Sequence, residues 1–203
     1  MSSDGVNVDV NTGRRKFLTA ATSAVGAAGA VGIMIPFVGS WNPSAKAKAA
    51  GAPVKFDFGR LEPGQMTIAE WRGQPVYVVN RTDSQLEALP GLNEQLKDPE
   101  SENLDQQPSY ITGIGRSARP NLLVVVGLCT HLGCAPKYVP EVGVADLGGD
   151  KWVGGFFCPC HGSKFDLSGR VYAGVPASAN LLVPPYSFEG DDLLVIGVNP
   201  EGV

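Results

Sequence analysis

The chain has 203 residues, 43% of them hydrophobic and 18% charged, with 26 Gly and 16 Pro; that composition excludes collagen, coiled-coil and wholly disordered chains and fits one modest globular domain with an appendage. The net charge of −4 divides unevenly, because residues 1–50 hold five basic and two acidic groups whereas residues 51–203 hold eleven and eighteen. An acidic body repels phosphate, so no nucleic acid is expected among its partners.

At the N-terminus a polar start leads to Arg14-Arg15-Lys16-Phe17-Leu18, and residues 17–45 then carry no charged side chain. Roughly 20 helical residues at about 1.5 Å each cross a bilayer core, so this 29-residue stretch is long enough to span, although Gly and Ala keep it mildly apolar. Paired arginines ahead of such a run read as a twin-arginine export signal, an address for proteins that leave the cytoplasm already folded. The expectation is a cytoplasmic N-terminus over 1–16, a single transmembrane helix as anchor over 17–41, and the body on the outer side. Ala45-Lys46-Ala47 and Ala47-Lys48-Ala49 also fit a small-x-small cleavage pattern, so a mature chain beginning near Ala50 is the competing expectation. Residues 42–53 are small or polar and hold no large apolar group, which predicts a flexible hinge linker.

Residues 54–203 read as an all-β head. Short β-branched or aromatic runs at 54–58, 75–79, 122–126, 152–157, 181–188 and 193–198 are separated by Gly and Pro. Residues 83–107 break the pattern, with seven acidic groups, one basic group, and Leu86, Leu89, Leu92 and Leu96 at roughly helical spacing. They predict a short solvent-facing helix pair with a loop.

All four Cys and both His fall between Cys129 and His161, in Cys129-Thr130-His131-Leu132-Gly133-Cys134 and Cys158-Pro159-Cys160-His161-Gly162-Ser163. Each half supplies sulfur and imidazole at close spacing. Two disulfides are one reading of four cysteines in an exported protein, but they leave both histidines without a role. A structural zinc site is another, although its cysteine pairs usually follow C-x2-C spacing. Iron–sulfur chemistry is the third.

Both boxes, C-T-H-x-G-C and C-P-C-H-G-S, resemble those of the Rieske iron–sulfur proteins. The resemblance implies an antiparallel β-sandwich head with a cluster-binding subdomain at about 127–180, and one [2Fe–2S] cluster in which two His replace two Cys on one iron. It further implies Cys129 and Cys158 on one iron, His131 and His161 on the other, and Cys134 bonded to Cys160 as a disulfide between the loops. Neutral imidazoles lower the cluster's negative charge and raise its potential. Ser163 is implied to donate a hydrogen bond toward a bridging sulfide, and Leu132 to shield the cluster. One position departs from many respiratory members, Phe165 standing where they have Tyr. Restoring a donor with Phe165→Tyr is expected to raise the midpoint by tens of millivolts, since about 59 mV is tenfold for one electron and one weak hydrogen bond is worth about that.

The 26 residues between His131 and Cys158, the extra cysteine pair, the anchor and the linker look like the iron–sulfur subunits of bacterial cytochrome bc1 complexes. The segment 174–181 (Gly-Val-Pro-Ala-Ser-Ala-Asn-Leu) is similar to that family's proline-containing loop over the cluster. The implied activity is that of a quinol–cytochrome c reductase, a translocase. Quinol, taken as ubiquinol, is oxidised at the outer face of the bacterial inner membrane, with His161 contacting it and accepting its proton. The implied partners are cytochrome b, which supplies most of the quinone pocket, and cytochrome c1, which takes the electron, in a dimeric complex with the head on the periplasmic side. The linker is expected to let the head shuttle between them. Alternatives at this stage are a subunit of a b6f-like or arsenite-oxidising complex, a free periplasmic carrier released by cleavage, and a metal-free disulfide-stapled binding module.

Overall fold

A computed structural model of the chain describes residues 11–202. Of the N-terminal segment expected over 1–16, residues 1–10 lie outside the described residues. Helix α1 (Thr12–Gly39) begins at Asn11, whose side chain accepts the Arg14 amide at 3.0 Å, so the paired arginines fall inside its first turn. By length and composition α1 is apolar enough to cross a membrane. A second helix, α2 (Ala45–Ala50), lies within the stretch expected to be a flexible linker. Alternating Ala and Lys are strong helix formers, and Ser44 Oγ accepts the Ala47 amide at 3.2 Å at its start. Lacking large apolar groups rules out a core face, not a helix.

Among the described residues the head holds nine strands in three antiparallel three-stranded sheets. Strands β1 (Val54–Asp57), β8 (Tyr186–Glu189) and β9 (Leu193–Ile196) form the first sheet, in the order β1-β9-β8. The second is β2-β3-β4, from Met66–Trp71, Gln74–Asn80 and Leu122–Val126. The third is β5-β6-β7, from Lys137–Val139, Gly155–Cys158 and Ser163–Phe165. Five consecutive branched residues make β4 buried along its whole length, as befits a strand covered on both faces. One core takes Val78 and Leu123 from the second sheet, Tyr186 and Ile196 from the first, and Phe156 and Phe165 from the third. Arg72 and Gly73, both at positive φ, close the β2–β3 hairpin.

Several expected boundaries move. The run over 181–188 becomes a strand only from Tyr186, because Pro184 and Pro185 have no amide to give a ladder. The solvent-facing helix pair expected in 83–107 is instead one turn and a half of α-helix, α3 (Asp83–Ala88), closed by a capping box between Thr82 and Gln85, followed by a 3-10 segment from Leu89 to Gln95. Pro90 and Gly91 explain the break, as neither sustains an α-helix. Leu89, Leu92 and Leu96 are buried, and the last two pack with Leu147, Trp152 and Tyr172 in a second, smaller core. Six of the seven acidic residues are exposed while Leu89, Leu92 and Leu96 hold the segment down.

Three arginines are buried outright, Arg81, Arg116 and Arg170. Arg81 donates to the carbonyls of Gly115 and Leu167 and to Ser168 Oγ; Arg116 donates to the carbonyls of Ser168 and Leu181. Arg170 pairs with buried Asp166 at 2.8 Å and reaches the Leu89 carbonyl. Desolvation lowers Arg81 and Arg116 to about 10, still cationic at neutral pH. Together they tie the turn after β7 to the rest of the head.

Gly155 shows how tightly β6 and β7 lie. A Cβ there would stand 2.1 Å from the Phe165 carbonyl oxygen, a contact only backbone movement relieves. Gly155→Ala is expected to lower unfolding stability by about 1–3 kcal/mol. Gly91→Ala, which meets nothing within 4 Å, should be close to neutral in the same denaturant titration.

Candidate metal centre

The two boxes fold into matching turns. After β4, the Gly133 amide donates to the Cys129 carbonyl at 2.9 Å; at the end of β6, the Gly162 amide donates to the Cys158 carbonyl at 3.0 Å. Both glycines sit at positive φ, 80° and 77°, where a side chain would be strained. The first turn is closed again by the Cys129 amide on the Cys134 carbonyl at 2.8 Å. The second is the β6–β7 hairpin, in which Cys158 faces Ser163. Each turn thus fixes a cysteine at its start and carries a histidine near its apex.

The turns meet. Cys134 and Cys160 are joined by a disulfide. The rings of His131 and His161 stand edge to face with centroids 4.7 Å apart. Cys129 and Cys158 are free thiols, 4% and 1% exposed, and the Cys158 sulfur lies within 4.8 Å of both disulfide sulfurs. The two-disulfide reading therefore fails. His161 is exposed. Leu132 is 71% exposed, so it plugs no core in the head.

A metal group fits this donor set. The Nδ1 of His131 is buried without a hydrogen-bond partner, and an orphaned imidazole nitrogen on a turn that starts at a buried free thiol, Cys129, calls for a partner such as a cation. Burial pushes the Cys158 thiol up, with the Cys129 thiol beside it adding to the shift. A thiolate is stable there only opposite a strong positive charge.

Segment 174–181 lies against both turns. Ser163, fully buried, accepts the Ala177 amide on Oγ at 3.0 Å, which leaves its own proton free to donate. Thr130 Oγ1 donates to the Ala179 carbonyl at 2.5 Å, and Ser178 Oγ donates to the Thr130 carbonyl at 3.3 Å. Phe165 is fully buried among the residues of the main core, in line with a packing role. Sequence reasoning missed Thr130 as an anchor, and also Asn180, whose Oδ1 accepts the Val171 amide at 2.8 Å while its amide donates to the Asp98 carbonyl at 3.0 Å. The only sequence signal was the place of Thr130 inside the first box and of Asn180 inside the segment 174–181.

Residues 7–44 match the family described as ubiquitinol-cytochrome C reductase Fe-S subunit TAT signal, and residues 94–187 match the Rieske [2Fe-2S] domain. A ubiquinol-cytochrome c reductase iron-sulfur subunit of Allochromatium vinosum is 52% identical, over 97% of this chain and 92% of its own length. A protein of the same description from Bradyrhizobium diazoefficiens is 41% identical over 91% and 94%. Among solved structures, a chain of a hyperthermophilic respiratory Complex III aligns at TM-score 0.47 and 23% identity, covering 86% of this chain and 98% of that one.

Proposed function

This chain belongs to the family of ubiquinol–cytochrome c reductase iron–sulfur subunits, and from that membership we propose how its own residues carry out the electron transfer. Its Rieske domain carries one [2Fe–2S] cluster. Cys129 and Cys158 would hold one iron, and His131 and His161 the other. The observation that carries this reading is the division of labour among the cysteines: the disulfide consumes Cys134 and Cys160 and leaves two buried free thiols beside two histidines, one with an orphaned buried nitrogen.

When bound, the cluster accepts and returns one electron at a potential raised by its imidazole ligands. The chain does the rest. Buried Cys129 and Cys158 keep water from the sulfur side. His161, exposed at the apex of the second turn, meets the quinol hydroxyl and takes its proton on the ring nitrogen that does not hold iron. Ser163 donates its free proton toward the cluster, favouring the reduced state. Leu132, exposed beside His131, gives the tip an apolar surface for the quinone-site rim.

In this reading α1 anchors the protein in the bacterial inner membrane, residues 1–16 stay cytoplasmic, and the head works on the periplasmic side. Cytochrome b completes the quinol pocket and cytochrome c1 receives the electron, within a dimeric complex. Residues 42–53 serve as the tether. A test is to solubilise membranes in mild detergent and follow the chain by mass. Haem subunits and quinol-dependent reduction of cytochrome c are expected to co-fractionate with it, and His161→Gln to lose that activity. A wild-type chain recovered free of haem proteins from fractions that retain the activity would overturn the proposal.

A further inference from the structure

Of the eight charged groups in 83–107, Lys97 is the single cation, and its ammonium bonds the segment lying over the site. Its backbone is fixed first. The Lys97 amide donates to the Val171 carbonyl at 3.0 Å, the Ala173 amide donates to the Gln95 carbonyl at 2.7 Å, and Leu96 and Tyr172 form an isolated antiparallel bridge. From this base the Lys97 ammonium donates to the Val175 carbonyl at 2.8 Å and to the Ala177 carbonyl at 2.5 Å, spanning Pro176. Ala177 is fully buried, and its amide is the group that donates to Ser163 Oγ.

We propose that Lys97 is a positioning residue for electron transfer: it clamps the loop 174–181 so that the Ala177 amide occupies the Ser163 oxygen and turns the Ser163 proton toward the cluster. Two features carry the inference. The residue between the two clamped carbonyls is Pro176, which has no amide of its own to anchor that stretch, and Lys97 bonds the carbonyls on both sides of it. A hydroxyl that accepts a hydrogen bond is also a better donor, since bonds in a chain polarise one another. Lys97 touches neither the thiols nor the imidazoles; its effect passes through Ala177 and Ser163. The inference rests on the ligand assignment proposed above.

The test is a double-mutant cycle in the detergent-solubilised full-length protein, with Lys97→Met, Ser163→Ala and the double variant. The readouts are the cluster's midpoint potential and amide hydrogen exchange across 174–181. Lys97→Met is expected to speed exchange in this segment by about tenfold or more. It should also weaken one-electron uptake about threefold, or ~28 mV at about 59 mV per tenfold, and in the Ser163→Ala background it should lower the potential no further. Unchanged exchange in Lys97→Met overturns the clamp. An equal drop in potential with and without Ser163 overturns the positioning role, because it is then only the field of a lost cation. A wild-type protein without the spectrum of a histidine-ligated two-iron cluster is a failure of the ligand assignment instead, seen before any variant is made, and the exchange readout still decides whether Lys97 holds the loop.

Discussion

Replacing Cys158 by serine is expected to abolish the iron signature of the protein, and the same substitution at Cys129 is expected to do so too. Both thiols are free and buried, at the starts of the two glycine-closed turns. Burial pushes the Cys158 thiol up, so without a cation this position favours a neutral thiol. With iron bound the balance reverses, since a coordinating thiol is deprotonated outright. A serine hydroxyl has neither the acidity nor the softness to take its place. The check is iron and acid-labile sulfide per chain, with the low-temperature EPR spectrum of the reduced protein. Both variants are expected to keep the disulfide and the folded head, which far-ultraviolet circular dichroism and mass under non-reducing conditions report. A full complement of iron in Cys158→Ser would remove Cys158 from the ligand set.

The second large effect belongs to the other cysteine pair. Cys134 and Cys160 close a loop with a sequence separation of 26, and in the chain-entropy model a link of that span stabilises the folded state by about 3.5 kcal/mol at 25 °C. The double variant Cys134→Ser/Cys160→Ser is therefore expected to lose about that much in guanidinium titrations. Its cluster should assemble and then be lost faster on storage. The bond joins two turns that also meet through the His131–His161 ring contact and are bridged by the segment 174–181. Assembly with wild-type yield but a lowered unfolding midpoint matches the account. Absence of all iron in the freshly isolated double variant would contradict it, placing one of these sulfurs among the ligands.

How much of this was legible in the sequence depended on whether the signal was local. The boxes were legible because each fits within six residues and its chemistry admits few residue types. Strand β4 was legible because five branched residues in a row have few other uses. Strands β5 and β7, of three residues each, were not. Strand β2 was also missed, because its alternation runs through Ile68 on the exposed side and Ala69 on the buried side, the reverse of what hydropathy implies.

The buried charged residues were the least legible. Nothing in the sequence singles out Arg81, Arg116 and Arg170, yet each is buried among carbonyls, several of them contributed from 50 to 90 positions away. Asp166 and Arg170, four apart and with Gly169 between, held a local hint of a paired turn. Nothing local marked Lys97, whose contacts lie 78 and 80 residues along the chain. The leucines of 83–107 were placed on the right spacing but on the wrong side of the surface, because their partners Leu147, Trp152 and Tyr172 come from beyond the first box.

The most direct test of the account is a paired measurement on one preparation of the full-length protein matured in its membrane. Electron paramagnetic resonance after reduction is set beside non-reducing peptide mass mapping of the four cysteines. The account predicts the low-average-g spectrum of a two-iron cluster with imidazole ligands, together with a single Cys134–Cys160 cross-link and free thiols at Cys129 and Cys158 once the iron is removed. A spectrum of an all-cysteine cluster, or a cross-link that includes Cys129 or Cys158, would contradict it.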